Sequence, residues 1–340
     1  MRYALRRLLL TVPLLVVVSF VVFVVGSLLP GDPAATRFEQ RASPEAREAW
    51  RREHYLDRSI PVRYAHYMEG VVTRFDFGRS YAPGEVAVGP ELLNRFAATI
   101  ELTLAALLIA VPVGIGVGVL GAVRRGRLVD HLANLLALLG NSIPIFWLGM
   151  VLLLGAIAAG FHSFNGRYDV AAFEDVVGGY STKFYVLESL VRGEYRVAWD
   201  CVQYLAIPAL ALSTIPMAVI TRMTRASVLE EIAKDYVQTA RAKGLRPSRV
   251  VLRHVLRNSM IPIVTVTGLQ AGTLLSGAVL TESVFNWPGL GKYVLEGVMG
   301  NDSPVLVGGI LLIATTFILV NLAVDLLYGV VDPRIRVAAE

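Results

Sequence analysis

The chain has 340 residues, of which 55% are hydrophobic and only 17% charged, with a mean hydropathy of +0.57. That composition excludes an ordinary soluble domain and predicts an all-α integral membrane protein. The net charge of +5 sits mainly at expected membrane edges, where anionic headgroups rather than nucleic acid are the natural partner.

Six apolar runs are long enough to cross a hydrocarbon layer of about 30 Å: 8–29, 99–123, 132–160, 202–221, 260–285 and 304–331. The first is too long for the apolar core of a signal peptide and is expected to be a retained span, domain 1–29. Seventeen Lys and Arg fall on the side of the N-terminus, against one in 286–303 and four in 161–201. Both termini are therefore expected in the cytoplasm, with 332–340 as a short inner tail. The long first outer loop, 30–98, is exempt from that rule and reads as a folded cap. In it Ser43-Pro44-Glu45 has the form of a helix start, a second helix is expected over 62–75, and breaks are expected at 58–61 and 81–84.

The core, 99–331, is expected to hold five spans, an inner loop over 222–258, and outer loops over 161–201 and 286–303. Gly114 and Gly118 in the second span, with Gly116 and Gly121 near them, and Gly268 and Gly272 in the fifth have the spacing that lets helix backbones approach closely. Pro112, Pro144, Pro208, Pro216 and Pro262 are expected to interrupt five helical runs. Asn134, Asn141, Gln270, Asn321 and Asp325 are polar at membrane depth, and Glu101 and Glu282 lie near span ends. Interfacial or packing roles are favoured for these; Asn141, Gln270, Glu282 and Asn321 are the candidates for lining a path.

The inner loop is the most informative segment. Ser227-x-x-Glu230 has the form of a capping box, predicting a helix of about four turns with Leu229, Ile232, Ala233, Tyr236 and Ala240 on one face. Arg241 and Lys243 would close its last turn and Gly244 would stop it in the left-handed region. Pro247 suits a helix restart, with Val250, Val251, Leu252, Val255 and Leu256 apolar and Arg246, Arg249, Arg253 and Arg257 basic. Two helices set around one glycine make an elbow, 227–258. It suits either a hairpin resting on headgroups or a docking handle for a cytoplasmic protein.

Catalytic motifs are absent. The nearest approach to a phosphate-binding loop is Gly291-Lys292, but Asn286 and Tyr293 stand where Gly and Ser or Thr are needed. The five histidines are scattered, and Cys201 is the only cysteine, so no metal site, catalytic residue or bound cofactor is expected.

The run from Tyr236-Val-Gln-Thr-Ala-Arg-Ala-Lys-Gly244 to Pro262 resembles the inner loop of ABC-importer permeases of the dipeptide/oligopeptide/nickel class. Further matches are Leu29-Pro-Gly-Asp-Pro33, Phe75-Asp-Phe-Gly-Arg-Ser-Tyr81, Thr99-Ile-Glu-Leu-Thr103, Ser142-Ile-Pro-Ile-Phe146, Thr224-Arg-Ala-Ser227, Glu282-Ser-Val-Phe-Asn-Trp-Pro-Gly-Leu-Gly291 and Asp325-Leu-Leu-Tyr-Gly-Val-Val-Asp-Pro-Arg334. The resemblance implies a type I importer permease in a bacterial or archaeal cytoplasmic membrane. It would pair with a second permease, two ATPase subunits that bind ATP and Mg, and an extracytoplasmic solute-binding protein, and work by alternating access. Peptides are the implied cargo, with nickel, glutathione or an oligosaccharide as alternatives, and a membrane scaffold without transport as the alternative of another class. It also implies ATPase-coupling roles for Tyr236, Gln238, Thr239, Ala240, Arg241, Lys243 and Gly244. Gln238 replaces the motif's glutamate, leaving Glu231 and Asp235 as the nearby acids, and Arg257 replaces a proline common in related permeases.

Overall fold

The computed structural model describes residues 2–28, 33–38, 43–160, 166–177 and 182–331. Among them the chain is helical, with a single isolated bridge between Arg79 and Ala87 in place of any sheet. The tail 332–340, most of Leu29-Pro-Gly-Asp-Pro33 and the side chain of Asp325 lie outside the described residues.

Helix α1 (Arg2–Ser27) is followed by the cap helices α2 (Pro33–Phe38), α3 (Pro44–Glu53) and α4 (Ile60–Arg74). Ser43 caps α3, accepting a hydrogen bond from the Ala46 amide, and Pro44 takes the first helical position. α4 starts at Ile60, two residues ahead of expectation, because Pro61 opens a helix here instead of breaking one. α5 (Val88–Val123) also starts earlier than expected: residues 88–98, assigned to the outer loop from composition, are the first turns of one 36-residue helix. The Gly89-Pro90 pair falls in its first turn, and nothing after it breaks the helix before the apolar run.

The expected single span over 132–160 is corrected to two helices, α6 (Leu128–Ser142) and α7 (Ile145–Ala158), bent by 102° at the break. Pro144 causes the turn, since the residue before proline is driven out of the helical region, and Ile143 is extended at φ −78° and ψ 126°. The other four prolines do not interrupt: Pro112 lies inside α5, Pro208 and Pro216 inside α10, and Pro262 inside α13. Packed neighbours support those helices through the lost amide bond.

After α8 (Val170–Val177) and α9 (Tyr185–Arg192) comes α10 (Tyr195–Ile232), the longest helix at 38 residues. The elbow follows as α11 (Asp235–Ala242), a helical turn α12 (Pro247–Arg249) and a π-helical stretch (Val250–Val255) that runs straight into α13 (Leu256–Leu275). The fifth apolar run ends ten residues before its expected limit. Gly277, at φ +101°, reverses the chain where a side chain would meet Gly291 Cα at 3.2 Å. Short α14 (Val279–Val284), α15 (Leu290–Met299) and α16 (Ser303–Val331) complete the chain.

The α5–α10 pair forms the spine. Gly114 and Gly118 make it possible: a Cβ at Gly114 would lie 2.9 Å from Ile220 Cγ2, and one at Gly118 2.6 Å from Thr224 Cβ. α13 packs α16 in the same way, Gly268 against Val324 and Gly272 against Val320 and Phe317. Ala98, Leu102, Ala106, Leu205, Ala209, Leu212, Leu274 and Trp287 form the core where α5, α10 and α13 meet the outer loop. Among the described residues, α5, α10 and the Ser303–Val324 part of α16 are long and apolar enough to cross a membrane, and the bent α6–α7 pair makes a fourth.

Candidate functional site

The elbow is built from two kinds of residue. Leu229, Ile232, Tyr236 and Leu245 pack around Val228, Val237, Ala240, Val250 and Val255, with Ala122 of α5 beneath. The expected capping box is corrected: Ser227 is buried inside α10 and caps nothing. Residues 222–232 contain neither Gly nor Pro, and Thr224 and Val228 are held against α5, so the helix has no reason to stop there. It ends at Ile232, and the predicted four-turn helix is two pieces with Lys234 extended between them. Leu229, Ile232, Tyr236 and Ala240 still share one core, but Ala233 is exposed.

Glu231 ties the two pieces. It pairs with Lys234 and accepts a 2.6 Å hydrogen bond from the Tyr236 hydroxyl. The pairing raises the Lys234 ammonium, and burial raises the Tyr236 hydroxyl, above their ordinary values. Glu231, expected as an acid offered to a partner, is thus occupied within the chain. Ala240, expected as a contact, faces inward. The outward residues are Asp235, Gln238, Thr239, Arg241, Lys243 and Gly244, joined by Arg246, Arg249, Leu252 and Arg253. Leu252 is 62% exposed, against its expected place on the apolar side, because the π-helical step leaves Val250 and Val255 to fill the core. Gly244 sits at φ +72° with open space where a side chain would go, so its need is conformational. Among the described residues Arg241, Lys243, Arg246, Arg249 and Arg253 form no ion pair.

A clamp behind the elbow escaped the sequence reading. Asp130, at the start of α6, accepts two hydrogen bonds from Arg225 of α10, at 2.6 and 2.9 Å, one from the Gly126 amide at 2.9 Å and one from Asn134 at 3.0 Å. Gly121 leaves room for it: a Cβ there would lie 3.4 Å from Asp130 Oδ1. The partners are 95 residues apart, and nothing local marks them. Asn134, noted for its polarity, belongs to this clamp.

The end of the spine away from the elbow carries a second constellation. Glu282, expected as a path-lining candidate, is fully enclosed at 0% exposure. Its carboxylate accepts hydrogen bonds from the Thr99 hydroxyl of α5 and the Lys292 amide, each 2.8 Å, so it caps the N-terminus of α15 from a distance. Thr99 Oγ1 in turn accepts from the Leu290 amide at 2.8 Å, and the Trp287 indole donates to the Ala98 carbonyl at 3.0 Å. Gly289 and Gly291 are small because the Glu282 carboxylate lies where their side chains would be. An acid followed by two glycines at this spacing was the available signal. Glu101, two residues on from Thr99, points to another outer loop: it pairs with Arg167 and accepts from the Val186 amide at 2.8 Å. The Arg167 guanidinium lies 3.6 Å from the Tyr185 ring centre. Neither acid reaches an interface; both are internal anchors.

Of the remaining path candidates, Asn141 is exposed on the last turn of α6, while Gln270 on α13 and Asn321 on α16 are half-buried.

The sequence matches the family model for the binding-protein-dependent transport system inner membrane component over residues 91–337, and that family's N-terminal model over residues 1–103. It is 45% identical to the dipeptide transport system permease protein DppB of Escherichia coli (strain K12) over 338 residues, 99% of each chain. Identity is 44% to the di/tripeptide transport system permease protein DppB of Pseudomonas aeruginosa (strain UCBPP-PA14), covering 97% of each. It is 37% to the glutathione transport system permease protein GsiC of Escherichia coli O1:K1 / APEC, covering 99% of each. With a spine packed on glycine, a helix pair bent at Pro144 and an outward-facing cationic elbow, the chain belongs to the binding-protein-dependent transport system inner membrane components, within the dipeptide/oligopeptide class of ABC-importer permeases.

Proposed function

We propose that this chain is the permease subunit of an ATP-driven importer carrying dipeptides and short oligopeptides across a bacterial or archaeal cytoplasmic membrane. The observation that carries this reading is 45% identity over essentially the whole length of a dipeptide permease. Six spans, α1, α5, α6–α7, α10, α13 and α16, then cross with both termini inside, in keeping with the basic residues of the inner loops. A second, similar permease completes the path, a solute-binding protein delivers cargo outside, and two ATPase subunits inside bind ATP and Mg.

The elbow 227–258 is the contact for the ATPase. Its outward face is cationic and unpaired, which suits an acidic groove, with Asp235 as the one acid on α11. Behind that face Glu231, the valine core and the Asp130–Arg225 clamp join it to α10. That helix spans about 57 Å at 1.5 Å per residue, so a shift imposed at the elbow is delivered to the outer loops. ATP-driven closure moves the spans only if the ATPase binds the elbow better in one conformation than in the other.

The test is peptide uptake by vesicles holding the reconstituted complex, with this chain carrying Arg241→Glu and Lys243→Glu. Loss of uptake and of peptide-stimulated ATP hydrolysis is expected; undiminished uptake overturns the coupling role. Glutathione is the second reading, favoured by the relative of that name. Thermal stabilisation of the partner binding protein by dipeptides but not by glutathione would decide for peptides.

A further inference from the structure

Between the outer cap and the ends of α1 and α16 lies a cavity of about 240 Å³ that transport through the α5–α10–α13 core does not use. Phe23 of α1, Phe77 and Val307 of α16 give it apolar walls, and Arg63 and Arg79 line it as well. Among the described residues neither guanidinium has an ion-pair partner, and Glu53 is the lining's one acid.

Tyr67 also lines this space, but not with its hydroxyl. The Tyr67 hydroxyl is shut off from solvent and therefore from the cavity. The rim is held in place by ring stacking: His54 lies 4.1 Å from Trp50 and donates through Nδ1 to the Trp50 carbonyl at 2.9 Å, and His66 lies 4.4 Å from Tyr55. Apolar walls with a few convergent polar groups are the general form of a small-molecule site. Two cations select a negatively charged head.

We propose that this cavity binds a small amphiphile with an oxyanion head, a carboxylate or phosphate, held by Arg63 and Arg79, and an apolar body against Phe23, Phe77 and Val307. A soluble organic acid and a lipid headgroup share that chemistry. The site is independent of the transport reading and stands or falls separately from it.

The test uses the full chain in dodecyl maltoside, a detergent without an oxyanion, titrated with N-acetylphenylalanine, phenyl phosphate and the neutral N-acetylphenylalaninamide. Tryptophan fluorescence is the readout, and Trp50→Phe identifies the reporter, since Trp50 stacks on His54 of the lining. Saturable responses to both anions are expected, at least tenfold weaker for the amide. Arg63→Gln should weaken anion binding about tenfold. Repeating the titration in nanodiscs separates the sources: phosphatidylglycerol that competes with the soluble probe marks a lipid headgroup, and an unchanged affinity marks a soluble anion. No saturable response in detergent, equal binding of the amide, or unaltered binding by Arg63→Gln overturns the proposal.

Discussion

The two ends of the α5–α10 spine use charge in opposite ways. At the end away from the elbow Glu282 and Glu101 are buried, and Thr99, the Lys292 amide, Arg167 and the Val186 amide satisfy them. At the elbow Arg241, Lys243, Arg246, Arg249 and Arg253 face outward without counter-charges, while Glu231 is kept for internal use. A satisfied buried charge fixes one geometry, because any other arrangement strands it in a medium of low dielectric. An unpaired surface charge fixes nothing in its own chain and is available to a partner. The end away from the elbow is therefore a lock between loops, and the elbow, on the proposed reading, is a handle on a stiff rod.

Substitutions should separate the two by moving folding stability and coupling in opposite orders. The largest loss of stability is expected from Glu282→Ala, which strands the Thr99 hydroxyl and the first amides of α15; about 3 kcal/mol is expected. Thermal unfolding of the purified chain in detergent measures it, and a midpoint equal to that of the unaltered protein would remove the lock from the description. Asp130→Asn comes next. It turns a bidentate charged pair into neutral contacts and leaves Arg225 without its counter-charge, costing roughly 2 kcal/mol. Because this pair ties α6 to α10 behind the elbow, ATP hydrolysis by the assembled complex should also lose part of its response to peptide.

Gly244→Ala should cost about 1 kcal/mol, since alanine resists φ +72° and nothing crowds its methyl group. Gly116→Ala, open on every side within 4 Å, is the helical control and should be neutral or slightly stabilising. The smallest change in stability, within about 0.5 kcal/mol, belongs to the double variant Arg241→Glu and Lys243→Glu. Co-purification of the ATPase should nonetheless fail for it, and retention of the ATPase at the unaltered level would break the contrast between lock and handle. Ala240→Leu lies between the classes: it overpacks the cluster of Val237 and Val250, so any lost transport should come with a lowered thermal midpoint.

Local signals were readable where the cause was local. Ser43-Pro44-Glu45 opens a helix as expected, because a hydroxyl cap and a proline at the first position act within four residues. Gly244 ends α11 for the same kind of reason, in that a left-handed residue needs no distant partner. The bend at Pro144 was equally local, yet five prolines looked alike in sequence and only this one turned the chain. Whether a membrane helix continues through a proline depends on the helices packed beside it. The Ser227 capping box failed likewise: a pattern that caps a free helix end had no free end to cap once Thr224 and Val228 lay against α5.

What the sequence determined by itself was the solvent and the periodicity: long apolar runs that belong in lipid, basic residues at their edges, glycines spaced for close approach, and an amphipathic elbow around Gly244. Those follow from transfer energies and backbone preferences that each residue carries with it. Only the tertiary structure decided which polar groups meet, as when Glu282 reaches Thr99 across 183 residues and Arg225 reaches Asp130 across 95. A carboxylate reads the same in sequence whether it will face water, a substrate or a helix terminus, and its partners are set by packing.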